Sequence, residues 1–385
     1  MEPSTRSSNE TVFRFEAETM EMLVASLKNQ GYIVLGPTVQ DGAIVFDQIN
    51  SAADFPHGMT DEQQPGTYRI KQRNDRALFG YAVGPKSPKG FLFPSLFRLF
   101  SVTKEDHQFR VAPGSQEPKA PPKYALVGVR PCELHAIFLQ DNVFMNQVFK
   151  DKAYQAVREN LFIVVVNCGQ PASTCFCSSM QTGPKSKNGF DLALTEVVVD
   201  GHYFVVETGS QRGRKLMAGI PHREASEVDR READRTIRSA EQSIKRTLET
   251  TGLKELLQKN TDHPRWDDVG KRCLTCANCT MVCPTCFCVN VEDVTDLTGA
   301  TAERWRSWDS CFTIDFSYIH GGSLRMSAKS RYRQWMTHKL ANWVDQFGTF
   351  GCVCCGRCIT WCPVGIDLTE EAKQIREHQQ GSGSP

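Results

Sequence analysis

Two stretches far apart in the chain share one spacing. Cys273, Cys276, Cys279 and Cys283, followed by Pro284, read C-x2-C-x2-C-x3-C-P, and the same pattern returns at Cys352, Cys355, Cys358 and Cys362 with Pro363. Three thiols at steps of three wrap a short loop around one iron–sulfur cube and leave backbone N–H groups free to face its sulfides. The fourth sits on the segment that follows, where the proline redirects the chain. Structural zinc favours two separated C-x2-C knuckles closing a tetrahedron, so a triplet followed by Cys-Pro argues for [4Fe-4S] chemistry instead.

In two-cluster ferredoxins the fourth cysteine of such a run serves the other cluster. The spacing therefore assigns one [4Fe-4S] cluster to Cys273, Cys276, Cys279 and Cys362, and a second to Cys352, Cys355, Cys358 and Cys283. The interval between the motifs is far longer than the spacer of a compact βαββαβ ferredoxin. An all-α helical dicluster ferredoxin domain is expected over 263–376, as in respiratory iron–sulfur subunits, with 377–385 a flexible tail.

The remaining chain is long enough for a further core, since 385 residues exceed what one core usually serves. Its 45 basic and 44 acidic residues nearly cancel, so no whole-protein field points to nucleic acid or to an anionic membrane. The first residues carry no apolar segment of the secretory kind, and LFIVVV and FLFPSLFRLF fall well short of a bilayer span. A cytoplasmic chain is expected, and in that setting sixteen cysteines argue for metal or redox chemistry rather than disulfides.

Residues 1–220 read as an α/β domain with a mixed sheet. Apolar strands flank Asp41-Gly42 and again Asp200-Gly201, which predicts two hairpins. Between them YALVGV, the helical ELHAIFLQDNVFMNQVF and LFIVVV predict a right-handed βαβ unit. Residues 221–262 alternate acids and bases and predict a long solvated connector helix. Beyond it no strand pattern stands out, and FTIDFSYIHGGS and SRYRQWMTHKLANWVDQF read as helices.

Half of the cysteines lie outside the two ligand sets. Cys132 and Cys168 each follow a predicted parallel strand, so both reach the carboxyl edge of the sheet, with Cys175 and Cys177 one short loop further. Those four could hold a third [4Fe-4S] cluster; ordinary buried thiols are the alternative. Cys286, Cys288 and Cys311 are expected to shield the clusters or to ligate a further centre, and Cys354 to be a spectator. Arg304, Arg306, Arg331, Arg333 and Lys339 could offset cluster charge or dock a partner, or simply be surface charge.

No G-x-G-x-x-G follows a strand, no G-x4-G-K-[ST] occurs, and GPKSPKG has the wrong spacing for either, so no flavin or nucleotide is expected on this chain. His135 and His338 read as helix-face or core residues, and no catalytic residue is expected. Three function classes fit: an electron-transfer subunit, a reductase whose cluster binds substrate, and a zinc-stabilised binding or scaffold protein.

GVRPCELHAI, NCGQPASTCFCSSM, RCLTCANCTMVCPTCFC, RWRSWDSCF, RYRQWMTHK and GCVCCGRCITWCPVGID, in that order, resemble the iron–sulfur beta subunit of cytosolic NAD(P)-linked [NiFe] hydrogenases, the sulfhydrogenases, and the related A subunit of anaerobic sulfite reductase. The resemblance runs from about Tyr32 to Asp367. It implies a relay in which a flavin subunit exchanges a hydride with NAD(P)H, this chain carries single electrons, and the small and large [NiFe] hydrogenase subunits, or a sirohaem sulfite reductase subunit, receive or supply them. The family carries glycine where this chain has Cys354.

Overall fold

The computed structural model describes residues 11–105, 108–113 and 121–381. An eight-stranded mixed sheet organises the N-terminal half. Its spatial order is Arg223–Glu224, Val12–Glu16, Tyr203–Thr208, Leu192–Val197, Phe162–Val166, Tyr124–Val129, Ile33–Gln40 and Ala43–Gln48. The four strands from Leu192–Val197 to Ile33–Gln40 run parallel, and antiparallel strands flank them. FIVVV at the centre is buried at every residue, as a strand covered on both faces must be. Asp41 and Gly42 both adopt positive φ and close the first hairpin with Gln40 opposite Ala43.

The predicted crossover is present with a shorter helix. Pro131–Phe144 is helical, and a second helix, Lys152–Glu159, covers the rest of the return to Phe162. Asp151 caps that second helix by accepting the Tyr154 N–H at 3.0 Å. Because Tyr124–Val129 and Phe162–Val166 are parallel, their C-terminal ends deliver Arg130, Cys132, Asn167 and Cys168 to one edge of the sheet.

The connector departs from its predicted form. Its helix spans Glu227–Ser243 only, buried along Ala233, Ile237 and Ala240. It stops because Ile244 and Leu248 turn into the interior, where the Leu248 N–H donates to Ser179 Oγ at 2.9 Å. A separate helix, Leu253–Lys259, begins after Gly252.

The last third is not all-α. Val289–Thr295 and Thr301–Trp308 form an antiparallel hairpin, and the second strand pairs with Leu96–Glu105, which pairs in turn with Gln108–Pro113. Partners from the other half of the chain complete this four-stranded sheet. The strand signal was therefore tertiary: Val289–Thr295 is exposed on both faces beyond Val289, and acidic residues interrupt its apolar alternation. FTIDFSYIHGGS is likewise a short 3-10 turn and a tiny hairpin, because His320 and Gly321 both take positive φ and reverse the chain. RYRQWMTHK lies on a helix over Ala328–Thr337, capped by Ser327, which continues through one π turn, His338–Asn342, into Trp343–Phe347.

One apolar core joins both halves. Cys132, Ala136, Leu139 and Phe176 pack with Trp266, Tyr332, Trp335 and Trp343. A buried ion pair crosses the same boundary: Arg357, 1% exposed, donates to Glu133 Oε1 at 2.5 Å and to the Gly84 carbonyl at 2.6 Å. Glu133 Oε2 also accepts the Arg130 N–H at 3.1 Å at the start of the Pro131–Phe144 helix. Among the described residues no helix is long and apolar enough to cross a membrane.

Glu133→Ala leaves the Arg357 guanidinium buried without its counter-ion and is expected to cost about 3–5 kcal/mol. Anaerobic denaturant unfolding measures it; a loss under about 1 kcal/mol would show that the pair does not hold the halves together.

Candidate metal–sulfur centres

The two motifs share their backbone turns over their first half. The residue two places after the first cysteine, Thr275 in one and Cys354 in the other, takes a left-handed backbone with φ 52° and 56°. Each then aims its N–H at the first thiol, at 3.4 Å from Cys273 Sγ and 3.4 Å from Cys352 Sγ. Two residues later Ala277 and Gly356 are left-handed again, with φ 65° and 78°, and a one-turn helix follows each. A backbone that twice reverses its curvature in five residues turns successive thiols to one side.

Gly356 is obligatory for packing as well as curvature. A Cβ there would stand 2.5 Å from the Thr174 carbonyl oxygen. This close approach seats the N-terminal cysteine loop on the second motif, where Phe176 N donates to the Cys354 carbonyl at 3.0 Å and the Thr174 and Thr360 hydroxyls meet at 2.8 Å.

Cys273, Cys276, Cys279 and Cys362 line one cavity, joined there by Cys358 and closed by Phe312, Tyr332 and Trp335. The exchanged thiol is thus beside the first triplet, and Ile366 N donates to its sulfur at 3.3 Å. Burial raises Cys279 well above the ordinary thiol range, and charge on Cys273, Cys362 and Cys276 raises it further. Four mutually repelling thiolates around a cavity form a donor set that fits a polycation cube.

The second set converges in the same way. Cys283 lies among Cys352, Cys355 and Cys358, each of which feels its neighbours' charge. Its thiol is drawn well below the ordinary range, first by a hydrogen bond from Cys286, and against burial by Lys339 and Thr285. Thr285 places its Oγ1 3.2 Å from that sulfur and donates to the Gly351 carbonyl at 2.8 Å.

Cys168, Cys175 and Cys177 approach one another at the sheet edge, and Cys132 adjoins Cys177 and Cys355. Burial is the first cause of their raised pKa values, carrying Cys177 to about 12. Cys175 Sγ stands 3.8 Å from the Cys355 carbonyl. Cys355, of the second set, is therefore the thiol that meets this group, while Cys358 of the second set shares the first set's cavity with Cys279.

The leftover thiols form a short chain of their own. The Cys286 thiol donates a hydrogen bond to Cys283, and the Cys311 thiol donates one to Cys288, which draws Cys288 down to about 7. Cys354 is fully buried beside Cys352. Burial lowers the pKa of both His135 and His338, which keeps these half-buried rings neutral.

Two buried cations stand near these thiols, and the sequence points to Lys339 but not to Lys89. Lys339 is 6% exposed and donates to Thr285 Oγ1 at 2.7 Å and to the Gly351 carbonyl at 2.8 Å. Burial works against its charge, yet Cys283, Cys286 and Cys352 outweigh burial and hold its pKa well above the ordinary lysine range. Lys89, in GPKSPKG, is 5% exposed, lies 3.3 Å from the Cys286 carbonyl and stacks 3.7 Å from the Trp308 ring centroid. Its loop carries no signal of this in sequence. Of the five cations expected near the motifs, Arg331 and Lys339 face thiols, whereas Arg304 pairs with Asp293, Arg306 with Asp151, and Arg333 reaches the Thr261 carbonyl.

Residues 272–366 match the family of 4Fe-4S dicluster domains. Subunit beta of sulfhydrogenase 2 from Pyrococcus furiosus is 30% identical over 316 residues, covering 81% of this chain and 90% of that relative. No solved structure matches the chain.

Cys354→Gly removes a left-handed penalty of roughly 1–2 kcal/mol while keeping the N–H that faces Cys352. Iron and acid-labile sulfide per chain are expected to stay unchanged. A drop in either would make Cys354 a ligand rather than a bystander.

Proposed function

We propose, on the premise that the chain belongs to the family of sulfhydrogenase beta subunits, that it relays electrons through [4Fe-4S] clusters held by ligands exchanged between its two motifs. An iron–sulfur electron-transfer role within a multi-subunit hydrogenase complex follows from that membership. The finer reading is a conduit between a flavin subunit that handles NAD(P)H and the small and large subunits of a [NiFe] hydrogenase. Cys273, Cys276, Cys279 and Cys362 would hold one cluster, and Cys352, Cys355, Cys358 and Cys283 the second. Cys132, Cys168, Cys175 and Cys177 would hold a third.

The observation that carries the reading is contiguity. Cys279 and Cys358 line one cavity, which joins the first set to the second, and Cys175 Sγ lies 3.8 Å from the Cys355 carbonyl, while Cys132 and Cys177 feel the charge of Cys355, which joins the second to the third. Three thiol groups in a row through one interior make a path; isolated sites would not. Cubane clusters bound there supply one-electron couples whose potentials the protein sets through charge, hydrogen bonds to sulfur and exposure.

The residues around them have matching tasks. Arg130 and Arg357, both buried, place positive charge beside Cys168 and beside Cys355 and Cys132. Lys339 does the same for Cys283 and Cys352. Phe176, Trp343 and Phe312 exclude water around them. The sulfite reductase reading shares this conduit but lacks a relative of its own among the matches, and the dicluster match speaks for cubanes over structural zinc.

Cys283→Ser tests the exchange of ligands. In anaerobically purified protein it is expected to lose the centre built by the second motif, with the low-temperature EPR signal of the first retained. Loss confined to the first motif's centre would refute the exchange, and Cys175→Ser should by contrast spare both and reduce iron only by the share of a third cluster.

A further inference from the structure

We infer that Tyr332 and Trp335 donate hydrogen bonds to the sulfur atoms of the centre held by Cys273, Cys276, Cys279 and Cys362, and thereby raise its reduction potential. The inference rests on the ligand assignment proposed above; it concerns what faces that centre, not what binds it.

Both side chains line the cavity that the four thiols line. Each is 3% exposed. Tyr332 Oη and Trp335 Nε1 are buried, and neither finds a hydrogen-bond partner among the described residues. A dry, unpaired phenol or indole N–H costs about 1–3 kcal/mol, and buried Tyr and Trp normally satisfy their polar tips. Two such orphans at one cavity call for an acceptor inside it. Apart from apolar side chains such as Phe312, Ile366 and Val364, which accept nothing, the side chains of the lining offer sulfurs: the four of the first set and that of Cys358 from the second.

A phenol is protonated at neutral pH, so the Tyr332 hydroxyl is available as a donor. Tyr332 and Trp335 stand three residues apart on one helix, so they share a face, with ring centroids 5.3 Å apart. Trp335 also packs on Phe312 at 6.0 Å, and Arg331 Nη1 holds the Phe312 carbonyl at 3.0 Å. The two donors are therefore fixed by packing rather than free to turn to solvent.

One turn further on, Lys339 addresses the other ligand set. The helix that carries RYRQWMTHK thus gives neutral donors to one centre and a full charge to the other. A donor to sulfur stabilises the more negative, reduced state more than the oxidised one, so removing it lowers the potential.

Tyr332→Phe and Trp335→Phe, made in the full chain and purified anaerobically, test this. Each retains an aromatic ring. Iron and labile sulfide per chain should match the unaltered protein, while an EPR-monitored redox titration should show the first motif's centre moved to more negative potential, further in the double variant, and by more than the second motif's centre, of which only Cys358 lines the cavity. Full loading with neither variant shifting a potential would overturn the inference alone. Absence of iron and sulfide from the unaltered chain would instead remove the ligand assignment and the inference with it. Should a variant lose its cluster, the unaltered protein decides: with indole-15N tryptophan, electron–nuclear double resonance of the reduced centre should show a coupled indole nitrogen that Trp361→Phe leaves in place. Lack of such a coupling contradicts the role given to Trp335.

Discussion

Concentrated negative charge in a dry interior is the constraint on which this structure turns. A buried ion costs several kcal/mol even after relaxation, and here the thiols of two motifs, with a further group at the sheet edge, share one interior. The chain answers with cations that are themselves buried: Arg130, Arg357, Lys339 and Lys89 are each at most 6% exposed. Among the described residues Lys339 hydrogen-bonds to no carboxylate and draws its compensation from thiols. Arg357 is shared between Glu133 and the sulfurs of Cys355 and Cys132. Cation and thiolate therefore make each other affordable, and neither would be stable there alone.

The same constraint explains why the halves of the chain are not separate bodies. Arg357 belongs to the second motif, but its acceptors, Glu133 and the Gly84 carbonyl, belong to the α/β half. Gly356 admits the Thr174 backbone to contact, and Thr182 Oγ1 donates to the Val353 carbonyl at 2.8 Å. The long connector ends its helix early so that Ile244 and Leu248 can close the seam between the two. Arg246, between them, pairs with Asp367 just past the second motif. What looks in sequence like a tether is a wedge.

Legibility followed range. The ligand loops were readable because spacing and local backbone state determine them: Thr275 and Cys354, Ala277 and Gly356 repeat their left-handed turns without help from elsewhere. The convergence of Cys132 and Cys168 was readable for a related reason, since parallel pairing of two all-apolar strands fixes where both chains emerge. The four-stranded sheet was not, because Thr301–Trp308 has no partner on one side except a strand some two hundred residues earlier. Burial of Lys89 was also invisible. Its neighbours in sequence are Ser, Pro and Gly, and only the return of Cys286 and Trp308 encloses it.

A helix with two kinds of donor suggests how such a chain orders its centres. Tyr332 and Trp335 carry no net charge and act only within hydrogen-bond reach, whereas the Lys339 ammonium acts through a poorly screened interior on several sulfurs at once. Placed on one rigid element, the two influences cannot drift apart independently. The π turn at His338–Asn342 widens the helix at the point where Lys339 leaves the Tyr332 and Trp335 face and enters the other ligand set. Arg331 adds charge at Cys273 from the same helix. Potential differences along the relay would then be a property of one segment's packing, which is a more robust arrangement than separate loops tuned one by one.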